Sequence, residues 1–262
     1  MREATLAREV ARLDWWTDFA ISPDSRILAV AANAAQLFEV ATGKEIGRVP
    51  EGHRGALRVH ALTLSPDGRL LTTGGSDGTI LVWDWQQLCH LRGDAGRKRE
   101  LTALWADLLA GEAPVAYRAI GALTSDPDRA VAFLKQRLRP VGEKDREEVR
   151  RLLRDLESKR FGVRQHAETE LASLYAEWAP LFQDTLLSFP PLEVRRRLEQ
   201  LLDGPKMRHW SPEMVRQLRA LHALELMGTP EARRLLERVA DGLPEARLTQ
   251  EAKAALRRLQ RK

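Results

Sequence analysis

Ser65-Pro66-Asp67-Gly68-Arg69-Leu70-Leu71, running on through Ser76-Asp77-Gly78-Thr79-Ile80-Leu81-Val82-Trp83-Asp84, is the stretch that decides the fold. Its opening occurs once before, 43 residues upstream, as Ser22-Pro23-Asp24-Ser25-Arg26-Ile27-Leu28. Asp67-Gly68 and Asp77-Gly78 are tight-turn dipeptides, in which glycine supplies positive φ and the aspartate accepts local backbone hydrogen bonds. Leu62 and Leu64 alternate with Ala61 and Thr63, and Ile80 and Val82 alternate with Leu81 and Trp83, the period of two expected of strands.

Working outward, a period in the low forties that ends in Trp-Asp is the mark of a β-propeller blade. The chain carries about two such units, whereas a closed ring normally needs four to eight. A fainter repeat relates Ala41–Val49 to Ala4–Leu13, each preceding a Ser-Pro-Asp turn. It is expected to be an outer strand, with a short helix carrying Leu6, Val10 and Leu13 as the alternative. Residues 14–84 are then expected to form two consecutive four-stranded sheets.

Past Arg92 the pattern changes. Residues 92–99 are charged, contain glycine and lack periodicity, as in a linker. Leu101, Leu104, Trp105 and Leu108 fall at i, i+3, i+4 and i+7, one apolar face of a helix. Asp126-Pro127, Ser211-Pro212 and Thr229-Pro230 each place a capping side chain before a proline at the first helical position. Arg118–Leu123 with Asp126-Pro127 resembles Arg219–Leu224 with Thr229-Pro230, a weak repeat of helical hairpins. The expected fold class is therefore mixed and multidomain: an all-β partial propeller of about two blades over 1–91, a linker at 92–99, and an all-α helical repeat array over 100–262.

Of the 262 residues, 44% are apolar and 30% charged, the balance of a globular protein. No apolar run approaches the length of a membrane span, and the N-terminal residues lack the apolar core of a secretory signal. A single cysteine, Cys89, excludes an internal disulfide and suits a reducing compartment, so the cytoplasm is expected. Through Arg92 there are 10 Lys/Arg against 11 Asp/Glu, and beyond it 32 against 26. The basic excess belongs to the second half.

The strand region resembles the WD-repeat family, on Gly52-His53, Ser65-Pro66-Asp67-Gly68 and Ser76–Asp84. The resemblance implies a hydrogen-bonded structural tetrad in the second blade, formed by His53, Thr73, Asp77 and Trp83. The first blade departs from the pattern. It has Phe38 where tryptophan is expected, lacks a Gly-His, and has a central turn two residues shorter, so it is expected to lack a tetrad and to be the less rigid. The helical half is similar to HEAT-like repeats, with an irregular bundle as the alternative. A propeller followed by an Arg- and Ala-rich helical region is similar to the C-terminal end of large bacterial WD-repeat proteins.

No phosphate-cradling glycine loop, nucleophile elbow or HExxH helix occurs, and no motif marks a catalytic, cofactor-binding or metal-ligating residue. Glu147, Glu148, Glu168 and Glu170 are expected to be solvated ion-pair partners. Arg195-Arg196-Arg197 is the best basic contact, although three consecutive helical residues fan over roughly 200°. The expected function is a non-catalytic scaffold or adaptor that binds other proteins, as part of a larger propeller protein. Nucleic-acid or acidic-partner binding through the arginines is the alternative.

Overall fold

The computed structural model describes residues 18–49, 59–89, 99–203 and 210–260. His53, the Ala4–Leu13 segment and all of 92–99 except Arg99 lie outside them. The chain divides into two compact units, one through Ala130 and the other from Val131.

The first unit begins with two antiparallel sheets. β1 (Asp18–Ile21), β2 (Ile27–Ala31), β3 (Ala35–Glu39) and β4 (Lys44–Arg48) form one, and β5 (Val59–Leu64), β6 (Leu70–Gly75) and β7 (Ile80–Asp84) form the other, each in chain order. The repeated sequence folds into repeated hydrogen bonds. Ser22 Oγ donates to Asp24 Oδ1 and accepts from Ile27 N at 2.9 Å, and Asp24 Oδ1 accepts from Arg26 N at 3.1 Å. Ser65 Oγ donates to Asp67 Oδ1 and accepts from Leu70 N at 2.9 Å, and Asp67 Oδ1 accepts from Arg69 N at 3.0 Å. Both turns need a left-handed residue, Gly68 at φ 69° and Ser25 at φ 59°. Glycine adopts that conformation without penalty, whereas serine does not.

The second sheet has three strands among the described residues, where four are expected. After β7, Asp84 accepts a hydrogen bond from Gln87 N and caps a short helix, α1 (Trp85–Leu88). The buried Trp85 fixes that helix, its Nε1 donating to Gly68 O at 2.9 Å. The two sheets are joined through Asp18, whose Oδ2 accepts from Leu62 N at 2.9 Å, and through Ala32 O, which accepts from Val59 N at 3.0 Å.

Helices follow. α2 (Leu101–Asp107) buries Leu104 of its expected apolar face and runs into the buried Leu108. α3 (Ala113–Thr124) packs on α2 and against β4. α4 (Pro127–Lys135) spans the division between the units.

The second unit continues with α5 (Glu143–Asp155), α6 (Phe161–Leu187), α7 (Leu192–Asp203), α8 (Pro212–Met227), α9 (Pro230–Ala240) and α10 (Arg247–Gln260). The proline-led starts hold: Ser211 Oγ accepts from Met214 N and Thr229 Oγ1 from Ala232 N. Gly228 at φ 62° closes α8. α6 breaks at Trp178 (φ −121°, ψ 20°), two residues before Pro180, because proline lacks an N–H and its ring clashes with the preceding turn. Around that break Leu171, Trp178 and Phe182 pack with Leu152 and Leu156 of the α5 end and with Val194 and Leu198 of α7. The start and end of this unit are tied together. Arg238 Nη2 donates to Lys135 O and Leu138 O, Leu243 N to Val141 O at 2.9 Å, and Arg146 Nη1 to Glu245 Oε1 at 3.1 Å.

Among the described residues no helix is long and apolar enough to cross a membrane.

Candidate interaction surfaces

The strand period gives the second sheet two unlike faces. One carries Leu62, Leu71, Thr73 and Trp83, with Leu71 opposite Trp83 and Leu62 opposite Thr73. Thr73 is fully buried, and Trp83 Nε1 donates to its Oγ1 at 2.9 Å. Trp83 is half-buried, and a shielded indole N–H left without such an acceptor loses part of its solvation unreplaced. Asp77 sits at the following turn, where its Oδ1 accepts from Thr79 N at 3.0 Å and Thr79 Oγ1 at 2.7 Å, and its Oδ2 is buried. Thr73 and Trp83 are thus in direct contact, and His53, the remaining tetrad position, lies outside the described residues.

The first sheet replaces that polar pair with an apolar one. Leu28 lies opposite Phe38 as Leu71 lies opposite Trp83, which makes Phe38 the counterpart of Trp83 and Val30 that of Thr73. Leu28, Val30 and Phe38 form a buried cluster with Phe19, Ile21 and Val40 against it. Ala31 pairs with Ala35, whereas Gly74 pairs with Ile80, so the first sheet's turn is two residues shorter. All of β2 is buried, while β7 is half-buried to exposed.

The other face of the second sheet is uncovered. Ile80 is 73% exposed, Val82 is 60% exposed, and Leu70 lies beside them on the same side. Among the described residues β7 is the last strand of its sheet. Sequence alternation places Ile80 and Val82 on one face but does not say that the face is bare.

Cys89 follows α1 and is buried. Burial pushes its thiol up to about 12, which keeps it protonated and unreactive.

In the second unit a cavity of about 300 Å³ opens beside the break in α6, floored by Val149, Leu174, Trp178 and Met214. Its rim carries Arg139, Lys144 and Arg247 against Asp145, Glu148 and Glu177, so no net charge selects a ligand. Asp145 is held below the ordinary carboxylate range by the Arg139 guanidinium, which it binds through both oxygens. Glu177 is pushed up by burial, despite a hydrogen bond from the Ser211 hydroxyl that pulls the other way. Among the described residues no cluster of three or more His, Cys, Asp or Glu could hold a metal ion.

The three consecutive arginines meet different surroundings. Arg197 is paired with Glu168 of α6 and with Glu193. Arg195 lies 5.5 Å over the Phe189 ring, and Arg196 is exposed. The expected ion pairs of Glu147 with Arg150 and Glu148 with Arg151 form on the surface of α5. At the α6–α7 turn Leu187, Phe189 and Leu192 are 74, 83 and 81% exposed, a bare apolar tip that no sequence pattern marks.

Residues 44–84 match the family model for the WD domain, G-beta repeat. The chain is 34% identical over 87 residues to Protein LST8 homolog of Drosophila melanogaster, covering 28% of this chain and 27% of that protein. It is 50% identical over 40 residues to Small ribosomal subunit protein RACK1 of Schizosaccharomyces pombe, and 48% identical over 40 residues to that of Neurospora crassa. These two matches cover 15% of this chain and 12% of each relative. The chain thus spans about a quarter or less of the relatives it matches. No solved structure matches it.

Proposed function

We propose that this chain is a non-catalytic scaffold for protein–protein contacts, the C-terminal part of a larger WD-type propeller protein. One observation carries the proposal. The second sheet buries Leu62, Leu71 and Thr73 on the face of the half-buried Trp83 and bares Ile80, Val82 and Leu70 on the opposite one. A further blade of the same kind fits that surface, since the first sheet already packs on its neighbour in this chain. The α2–α10 region is read as a HEAT-like array, whose stacked hairpins offer a rigid face with low ordering cost on binding. The nucleic-acid alternative is weakened by the ion pairs of Arg197, which leave Arg195 and Arg196 as the available cations of the cluster.

The isolated chain tests this by size-exclusion chromatography and thermal unfolding. A severed propeller self-associates through its open sheet, and Ile80→Thr with Val82→Thr reduces that association while keeping strand propensity. A wild-type chain that runs as a monomer and unfolds cooperatively sinks the proposal.

A further inference from the structure

The α6–α7 turn is built to hold apolar side chains in solvent. α6 ends at Leu187, and Ser188 closes it, its Oγ donating to Thr185 O at 2.6 Å. Phe189 follows at φ 54°, a left-handed position that helix ends usually give to glycine. A glycine there would make the turn at lower cost; this chain carries the largest apolar ring instead. Pro190 and Pro191 then stiffen the path into α7, which begins at Leu192. Leu187, Phe189 and Leu192 consequently stand clear of the helical core within a span of six residues.

The charges beside this tip are not all alike. Arg197 is taken up by Glu168 and Glu193, so Glu193 is itself engaged. Arg195 and Arg196 make no ion pair among the described residues, and Arg195 lies over the Phe189 ring. A convex apolar tip with two available guanidiniums at its base matches a deformable apolar medium bearing negative charge at its boundary. Arginines snorkel to such a boundary while neighbouring apolar side chains enter it.

We infer that the α6–α7 tip inserts into an anionic lipid surface. Phe189 and Leu192 lead, Leu187 follows, and Arg195 and Arg196 meet the headgroups. The contact is peripheral, and it is independent of the scaffold role proposed for the blades.

Vesicle flotation of the full chain tests this, because protein aggregates do not float. The probes are phosphatidylcholine vesicles with and without phosphatidylserine. The chain floats with the anionic vesicles and less with the neutral ones. Phe189→Asn with Leu192→Ser lowers partitioning by at least about tenfold, since each removes a large apolar group from the membrane; asparagine also tolerates positive φ. Arg195→Gln with Arg196→Gln lowers it by up to about thirtyfold, about fivefold for each arginine, on anionic vesicles alone. Far-UV circular dichroism stays unchanged and melting does not fall, as these positions are exposed or half-exposed. Absence of flotation, or equal flotation of the apolar double variant, overturns the inference. So does a variant effect confined to self-association in sedimentation, which would assign the tip to a second copy of the chain.

Discussion

Replacing Thr73 and Trp83 together should cost less than their separate replacements suggest. The indole N–H of Trp83 reaches Thr73 Oγ1 at 2.9 Å, and Thr73 is fully buried. Thr73→Val keeps the volume but strands that N–H, a penalty of about 1–3 kcal/mol, partly offset by the added methyl. A net loss of roughly 1–2 kcal/mol is expected. Trp83→Phe removes ring area and this hydrogen bond, again about 1–2 kcal/mol. The double variant reproduces the apolar pairing that Val30 and Phe38 already make in the first sheet. There the valine no longer strands a donor, so the coupling energy should be about 1–2 kcal/mol in the direction of rescue. Urea unfolding of all four members of the cycle, followed by circular dichroism and tryptophan fluorescence, measures it. Coupling near zero, or a double variant worse than the sum, would refute the idea that this hydrogen bond is what distinguishes the two blades.

Ser25→Gly should raise stability by about 0.5 kcal/mol, because relief of the left-handed serine exceeds the entropy that glycine adds to the unfolded chain; denaturant midpoints show it, and a loss would mean that Ser25 is unstrained. Cys89, buried and raised to about 12, should resist alkylation in the native protein and react only at the rate of unfolding, so that labelling under native conditions would contradict the fold around α1. The raised Glu177 makes the folded state bind its proton more tightly than the unfolded state. Its stabilising contribution is therefore complete below the unfolded value of about 4.3 and is lost as pH rises through the higher folded value. Glu177→Gln should flatten that decline, and melting temperatures measured from acid to neutral pH would expose an unchanged slope. Arg238→Ala should cost about 1 kcal/mol, chiefly by removing the donor to the part-buried Leu138 carbonyl, and a neutral effect in calorimetry would count against that clasp.

What could be read from the sequence was what neighbours along the chain decide. The Ser-Pro-Asp turns, the left-handed glycines Gly68 and Gly78, and the Ser211 and Thr229 caps follow from side chains within five residues of the groups they satisfy. The substitution of Phe38 for tryptophan was visible for the same reason, since a fixed period aligns it with Trp83. Other features depend on distant packing. Asp84 looks, in sequence, like the close of a strand, and its cap on α1 and the Trp85 bond to Gly68 appear only in the fold. Arg118 and Arg219 occupy equivalent places in the two similar hairpins, yet the first is exposed and the second buried. The run Arg195-Arg196-Arg197 was visible as charge, but not the pairing of Arg197 with Glu168 across 29 residues. The division of the units after Ala130 has no compositional signal at all, because α2 and α3 read like the helices that follow them.

The clasp between the two ends of the second unit sets a condition on how it is made. Lys135 and Arg238 stand 103 residues apart, and Arg146 and Glu245 stand 99 apart. During translation, at about 5–20 residues per second, the earlier helices of this unit leave the ribosome several seconds before the residues that lock them. For that interval the nascent chain exposes the apolar sides of α4 and α5, which makes it a natural client for chaperones that shield unfinished helices.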